Sequence, residues 1–318
     1  MKAKPTERNH YLPQFYLRSF LTDKVFWVYY KDGSGPTAQT PINTAVEKNL
    51  YSYKNPDGTI NDELERMLSD TENSVTEIIN RLVKDKDRLK SDDISKLAIF
   101  FAFMATRVPN SINLAKELGE ELIIAEAKKC SENIEQIKKL IDDVNSIEPG
   151  TITLSPEEIQ SAFAHPENFE ISLNKTLAMA MSIRQSSQIY TNLLDMNWCL
   201  CRAPSNRQFI TSDSPLVPFM LNEDGTVSIG TGYGLPSVEV TIPLSPQLSI
   251  LMVRKSKQKY MAVNKNFVLN INRRTAWNGE IFIISSLKTR YAMRLASWAS
   301  KSKNYPKLNR EAVRRNFL

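Results

Sequence analysis

Apolar side chains recur every three or four residues along most of the N-terminal part of the chain, which places them on one face of a helix. Long helices are predicted at 61–82, 91–107, 111–144 and 173–193, and Asn61 or Asp62 is suited to cap the first of them. A shorter amphipathic helix is predicted to begin at Pro13 and to end near Thr22, with His10 just before it. The middle of the chain is therefore expected to be a helical bundle.

The pattern changes near Met196, where helical spacing gives way to short β-branched and aromatic runs separated by Pro, Gly and Asn. Such runs predict an antiparallel sheet. Its strands are predicted at 198–202, 208–212, 226–229, 238–242, 248–253 and 281–286. Runs at 25–30 and 49–53, the second followed by a turn at 55–58, predict a small β element near the N-terminus. A last helix at 289–300 and a basic tail from Lys301 complete the pattern.

Helices followed by strands favour an α+β fold over a doubly wound α/β fold. We expect an N-terminal helical bundle with a small β element, then a C-terminal antiparallel sheet and a terminal helix. The pattern divides the chain into a mainly helical region, 1–195, and a β-rich basic region, 196–318. With 318 residues, 42% of them hydrophobic, the chain can bury a large core, and we expect one compact unit.

Membrane insertion and secretion are not expected. The longest apolar stretches, such as 97–105 and 248–253, are far shorter than the roughly 20 residues that span a bilayer. The first residues include lysines but no apolar segment of the kind found in a secretory signal. These observations predict a cytoplasmic protein without a membrane partner.

The cysteines do not indicate a disulfide framework or a zinc ribbon, because Cys130, Cys199 and Cys201 are odd in number and lack C-x-x-C spacing. Cys199 and Cys201 lie two positions apart in a predicted strand and therefore point to the same face. We expect both to be buried thiols.

The net charge of +6 hides an asymmetry along the chain. Residues 251–318 hold sixteen Lys and Arg against two acidic residues, whereas the preceding residues hold 25 basic and 33 acidic side chains. This segregation suits phosphate binding, because neutralised phosphates release counterions. The alternative is a solvated basic face balanced by an acidic surface elsewhere in the same fold.

His10 is one of two histidines in the chain and the clearest candidate for proton transfer near neutral pH. It is interpreted as a general acid or base, a metal ligand, or a structural histidine at a helix terminus. Gln14 and Arg18 lie four positions apart on one helix face and are expected to point towards the same site, where Arg18 would hold an anion.

Glu72 lies among the apolar positions of the first long helix, where an unpaired carboxylate would be costly to bury. Arg107, at the end of the next helix, is the natural counter-ion. The pair is interpreted either as structural or as part of a site that binds an anionic substrate.

Polar residues of the C-terminal half add further candidates. Asp213 follows a buried run and either presents its carboxylate to a cleft or forms a turn with the backbone. Asn272 and Arg273 belong to a basic stretch that includes Trp277 and suits phosphate contacts and stacking, unless Arg273 is simply exposed.

Several familiar motifs are missing from the sequence. It has no phosphate-cradling glycine loop, no G-x-S-x-G elbow, no H-E-x-x-H helix and no zinc deaminase motif. No known catalytic class is therefore specified outright.

Segments of the chain resemble a widespread bacterial family of unknown function, the domain of unknown function numbered 4238. They are NHYLPQFYLRSF at 9–20, FITSDSP at 209–215, IPLSP at 242–246 and NRRTAWN at 272–278. The resemblance implies that the residues matching the family motifs belong to its site, without naming a reaction. These are His10, Pro13, Gln14, Phe15, Ser212, Asp213, Pro215, Pro243, Leu244, Ser245, Pro246 and Asn272. Ser214 departs from the asparagine more usual in the family but leaves Asp213 in place.

Together these features predict a site where the N-terminal segment, the helices and the C-terminal sheet meet. His10 would transfer protons, Asp213 would orient it or hold a metal such as Mg²⁺, and Glu72 with Arg107 would complete the catalytic and anion-binding groups. The favoured hypothesis is a hydrolase acting on nucleic acid, such as a nuclease of bacterial defence or of a toxin, that binds DNA or RNA through the basic C-terminal region. The alternatives are a non-catalytic module that binds nucleic acid or protein, and an enzyme acting on a nucleotide or another small phosphorylated molecule. The sequence specifies no oligomeric state.

Overall fold

The computed structural model describes residues 8–48, 50–51, 53–54, 60–85, 88–222, 227–229 and 232–301. The helices are α1 (Gln14–Arg18), α2 (Glu63–Asp85), α3 (Ser91–Thr106), α4 (Pro109–Cys130), α5 (Ile134–Ile147), α6 (Pro156–Ala164), α7 (Lys175–Arg184), α8 (Ser186–Leu194), α9 (Lys265–Asn278) and α10 (Arg290–Lys301). The strands are β1 (Arg8–His10), β2 (Phe26–Tyr30), β3 (Thr37–Gln39), β4 (Val46–Lys48), β5 (Tyr53–Lys54), β6 (Ile60–Asn61), β7 (Asn197–Arg202), β8 (Thr211–Ser212), β9 (Val217–Leu221), β10 (Val227–Ile229), β11 (Glu239–Ser245), β12 (Leu248–Val253), β13 (Tyr260–Ala262) and β14 (Phe282–Ser285). The predicted α+β class is confirmed.

The chain forms two compact units. The first comprises Met1–Asn110 and Ile183–Leu318, and the second comprises Ser111–Ser182. The change in pattern between 195 and 196 therefore lies inside the first unit, which also contains every predicted site residue.

The larger sheet of the first unit has the strand order β10-β9-β11-β12-β7-β13. Its neighbours are antiparallel except for β13, which runs parallel to β7. The sheet is therefore mixed rather than purely antiparallel as predicted. Cys199 and Cys201 on β7 are buried free thiols in a core cluster with Phe209 and Phe267, which confirms the prediction for both.

The smaller sheet pairs strands of the N-terminal part of the chain with strands of the C-terminal part. Its order is β3-β2-β14-β8, and β14 pairs antiparallel with both β2 and β8. Tyr30 faces Phe282 in this register, and the amide of Thr289 donates to the hydroxyl of Tyr29 at 2.7 Å across 260 positions of sequence. The sheet brings Asp213, which directly follows β8, towards the end of β2.

Two predicted long helices are each broken in the structure. The helix expected at 111–144 is divided into α4 and α5, because Asn133 caps a new helix by accepting the amide of Glu135 at 3.0 Å. The helix expected at 173–193 is divided into α7 and α8 at Gln185. The short helix expected from Pro13 to Thr22 is only α1. The predicted cap at Asn61 is confirmed, since its side chain accepts the amide of Glu63 at 3.0 Å.

Other differences concern short elements. Strand β9 was not expected, because Pro218 interrupts its pattern, and helix α6 was missed although Ser155 and Glu158 form a capping box. Only β8 forms from the strand expected at 208–212. Asn49 and Ser52 of the strand expected at 49–53, the turn at 55–58 and residues 302–318 of the basic tail lie outside the described residues.

No single helix in the described ranges is long and apolar enough to cross a membrane. The consecutive helices α3 and α4 would meet that test only when taken together, by length and composition alone.

Candidate functional site

His10 ends strand β1, which pairs with β4 and places His10 opposite Val46. The ring is half-buried, and its Nε2 lies 3.3 Å from the carbonyl oxygen of Ile42. Because a carbonyl only accepts, Nε2 carries the proton, and Nδ1 keeps a lone pair. Burial lowers the pKa of His10 from its ordinary value, whereas the carbonyls of Ile42 and Pro41 and the carboxylate of Glu72 oppose that shift. Burial therefore favours the neutral imidazole.

Arg107 directly follows helix α3, and only 1% of its side chain is exposed. Its Nη1 donates to Oε1 of Glu72 on helix α2 at 2.7 Å, which confirms the predicted ion pair. The Nε and Nη2 atoms of Arg107 are also buried, and neither has a hydrogen-bond partner among the described residues. The guanidinium thus has two buried donors that Glu72 does not satisfy.

Tyr51 connects His10 with this ion pair. Its hydroxyl donates to the backbone carbonyl of His10 at 3.3 Å. Burial raises the pKa of Tyr51, and the charge of Arg107 opposes that shift while the charge of Glu72 adds to it. We call His10, Tyr51, Glu72 and Arg107 the His10 cluster. Tyr51 was not predicted, since its sequence neighbourhood carries no signal beyond an aromatic run.

Asp213 is 1% exposed, and both of its carboxylate oxygens are occupied by backbone donors. Oδ1 accepts the amide of Glu280 at 2.9 Å, and Oδ2 accepts the amide of Ile281 at 2.7 Å. Burial raises the pKa of Asp213 to about 6, although the two amides and the charge of Lys31 act in the opposite direction. The carboxylate therefore holds the turn between α9 and β14, rather than a turn before Pro215.

Lys31 is the second side chain that fixes this turn, and sequence reasoning missed it. Its Nζ donates to the carbonyls of Trp277 and Gly279 at the C-terminus of α9, where a cation is favourable. Burial lowers the pKa of Lys31, and the charges of Asp213 and Glu280 oppose that shift. Only a sheet that pairs β2 with β14 brings these groups together.

The charge of Asp213 acts on the hydroxyl of Tyr11. Burial raises the pKa of Tyr11, and the charge of Asp213 is the next contribution, followed by smaller ones that include Tyr51. In the described part of the chain no hydrogen bond joins His10 to Asp213. Glu72 and Arg107 thus pair directly and the charge of Glu72 acts on His10, whereas the hydrogen bonds of the Asp213 carboxylate are made to the turn after α9.

Helix α1 carries Gln14 and Arg18, the two residues predicted to bind substrate, and they differ in exposure. Gln14 is half-buried at its start, whereas Arg18 is exposed at its end, and neither side chain forms a hydrogen bond or ion pair with another described residue. The helix is anchored by Tyr16, whose hydroxyl lies 2.7 Å from Oγ1 of Thr211 and donates to the carbonyl of Pro243 at 2.7 Å. One hydroxyl thereby connects the first three family segments.

Asn272 and Arg273 are neighbours on α9 with opposite environments. Asn272 is buried, accepts the amide of Ile210 at 3.0 Å and donates to the carbonyl of Gln208 at 2.9 Å. It therefore joins the fourth family segment to the second. Arg273 is exposed, while the next residue, Arg274, is buried and pairs with Glu239 at 2.7 Å.

A resident metal ion does not fit the His10 cluster. Mg²⁺ prefers several oxygen ligands, but the only carboxylate of the cluster, Glu72, is bound to Arg107. Across the described ranges, no group of three or more His, Cys, Asp or Glu side chains could hold a metal ion.

Comparison with known proteins places these observations in a family. No curated protein and no solved structure matches the chain. The model of a family described as a protein of unknown function, DUF4238, matches residues 8–289, a range that contains every motif segment and the whole His10 cluster. The chain therefore belongs to the DUF4238 family.

Proposed function

We propose that this protein is a hydrolase that cleaves phosphodiester bonds in nucleic acid, and that the His10 cluster is its site. The observation that carries the proposal is the buried guanidinium of Arg107, whose Nε and Nη2 have no partner among the described residues. A buried donor without a partner costs about 1–3 kcal/mol, and more when it is charged. A phosphate oxygen would satisfy these donors, because the planar guanidinium matches the geometry of a phosphate group.

His10 supplies the proton transfer that hydrolysis requires. Its neutral imidazole, with the Nδ1 lone pair available, accepts a proton from water as the water oxygen forms a bond with phosphorus. The ester P–O bond breaks, and the imidazolium returns the proton to the leaving oxygen, so that one water molecule is consumed. Arg107 stabilises the negative charge on the non-bridging phosphate oxygens.

Glu72 acts on both Arg107 and His10. It holds Arg107 through the 2.7 Å contact, and its charge favours the protonated form of His10. Because the carboxylate keeps one side of the guanidinium fixed, the two remaining nitrogens have a defined direction in which to bind an anion.

A non-catalytic binding module is the second candidate. Asp213 and Asn272 match family motifs, yet the side chain of each forms two hydrogen bonds with the protein backbone. This observation favours a fold in which family residues maintain structure.

The two candidates are separated by incubating the purified protein with labelled single-stranded and duplex DNA and RNA, with and without Mg²⁺ or Mn²⁺. We expect cleavage by the native protein and by His165→Ala, since His165 is exposed and lies in the other unit. We expect His10→Ala and Arg107→Lys to lose most of the activity while retaining native circular dichroism. Binding without cleavage by any form would refute the hydrolase and support the binding module. Cleavage of bis(p-nitrophenyl) phosphate but of no polynucleotide would indicate a small phosphorylated substrate instead.

A further inference from the structure

The exposed face of helix α10 is positively charged. Its buried residues are apolar and belong to the core that also contains Tyr29 and Ile283; they are Ala292, Leu295, Ala296 and Ala299. Its charged residues, Arg290, Arg294 and Lys301, are exposed, and the sequence from 281 to 301 has no acidic residue. The exposed face therefore has no acidic residue of its own helix to neutralise it.

Neighbouring elements extend this positive charge. Helix α9 packs against α10, carries no acidic residue, and exposes Arg273. The charges of Arg273 and Arg207 both act on the hydroxyl of Tyr291, so both arginines lie near that hydroxyl. Arg294 is three positions after Tyr291, a spacing that places the two side chains on one helix face.

Tyr291 adds an aromatic surface to this arrangement. It is 40% exposed, so part of its ring is accessible to a planar group. Stacking of a base on an aromatic ring is worth about 1–3 kcal/mol and is independent of base identity.

We infer that the surface formed by Arg207, Arg273, Arg290 and Arg294 around Tyr291, here called the α10 face, binds the phosphate backbone of a single-stranded nucleic acid. The partner class rests on the proposed function, whereas the location rests on the exposure of Arg273, Arg290, Arg294 and Tyr291 and on the effect of Arg207 and Arg273 on the Tyr291 hydroxyl. The exposed arginines of α9 and α10, two helices that carry no acidic residue, complement a polyanion, and Tyr291 provides a platform for one base.

An anionic bilayer would be attracted by the same charges. Helices that bind at a bilayer surface bury an apolar face among the lipids. The apolar face of α10 already packs in the protein core, where Ala292 and Ala296 are buried. A nucleic acid therefore fits the α10 face better than a membrane.

The test measures fluorescence anisotropy of the full chain with a labelled phosphorothioate strand, which resists hydrolysis, over a range of salt concentrations. The variant R290Q/R294Q keeps side-chain length and helix propensity. Each phosphate contact with a single strand contributes about 0.7 to the slope of log affinity against log salt, so we expect the slope to fall by about 1.4. The matched control K128Q/K129Q removes two exposed charges from α4 and is expected to bind like the native protein.

Tyr291→Leu should weaken strand binding without changing the salt slope. Unchanged affinity and slope in R290Q/R294Q, or binding to phosphatidylserine vesicles but not to the strand, would overturn the inference. If the proposed function alone fails, no ordinary strand is cleaved, yet binding still depends on Arg290 and Arg294. If the inference alone fails, cleavage persists and R290Q/R294Q cleaves and binds like the native protein.

Discussion

Arg107 and Glu72 form a 2.7 Å ion pair in which the two partners are unequally exposed, 1% for Arg107 and 27% for Glu72. Water can therefore solvate the carboxylate more readily than the guanidinium if the partner of either group is lost.

This asymmetry predicts which partner is more costly to remove. Glu72→Gln leaves a buried charge uncompensated and should reduce the free energy of unfolding by about 3–5 kcal/mol. Arg107→Met leaves a partly hydrated carboxylate and should cost less. Urea unfolding of both variants measures the difference, with Glu135→Gln, from an exposed pair with Lys138, as a control that keeps the native midpoint. A larger loss in Arg107→Met than in Glu72→Gln would contradict the expectation.

The lowered pKa of His10 determines the pH dependence of the proposed hydrolysis. Because burial disfavours the imidazolium, the neutral base persists below the ordinary pKa of about 6.5. The acidic limb of kcat/KM should therefore fall at a pH below that value. The Glu72→Gln variant should move the limb to still lower pH, since the carboxylate favours the protonated ring. A limb above pH 6.5 would exclude His10 as the base.

Asp213 has a raised pKa, unlike His10, and this makes the stability of the protein depend on pH. Its pKa is about 6 in the folded protein, above the ordinary value, so between about pH 4 and pH 6 the folded state binds more protons than the unfolded state. Its contribution to stability is present below pH 4 and is lost as the pH rises through 6, by about 3 kcal/mol. Asp213→Asn should remove this dependence, whatever its cost at a single pH. Urea unfolding at pH 4 and pH 7 checks it, and an identical pH change in both proteins would disprove the assignment.

Gly279 is required where the turn after α9 approaches β8. A Cβ atom at this position would lie 2.8 Å from the Cβ of Ser212 and 2.9 Å from Oδ1 of Asp213. Gly279→Ala should reduce the free energy of unfolding by about 1–3 kcal/mol, as overpacking in well-packed regions does. Gly232→Ala is the matched control, because no atom lies within 4 Å of the added carbon. Equal denaturation midpoints for the two variants would show that the turn adjusts freely.

The hydroxyl of Tyr16 should contribute more to the free energy of unfolding than a surface hydroxyl does. Tyr16→Phe leaves the carbonyl of Pro243 and the hydroxyl of Thr211 without that partner, at a cost of about 1–3 kcal/mol. Tyr260→Phe, at an exposed ring, should leave the unfolding curve unchanged. Native stability of Tyr16→Phe would mean that water replaces the hydroxyl.

Secondary structure and one ion pair could be predicted from the local order of apolar and polar residues. The spacing of apolar residues predicted helices α2 and α3, because one buried face recurs every three or four residues. Short β-branched and aromatic runs between turn residues predicted most strands of the large sheet. The Glu72 and Arg107 pair was predictable for a related reason: a carboxylate among apolar positions needs a counter-ion.

Contacts between distant segments were not predictable in this way. Lys31 and Asp213 share a turn only because β14 pairs with both β2 and β8, a register that no local pattern specifies. The breaks at Asn133 and Gln185 were missed because a helix start can replace a continuing helix without disturbing the apolar spacing. Tyr51 could not be predicted because it bonds the backbone carbonyl of His10, and every residue has such an acceptor.

The placement of β14 between β2 and β8 also determines when the protein can fold during its synthesis. Tyr29 leaves the ribosome 260 residues before its partner Thr289. At about 5–20 residues per second this interval is on the order of 13–52 s. Throughout it β2 has an unpaired edge, and unpaired edges template aggregation. We therefore expect this single strand pairing to slow refolding from denaturant and to favour chaperone binding to the nascent N-terminal segment.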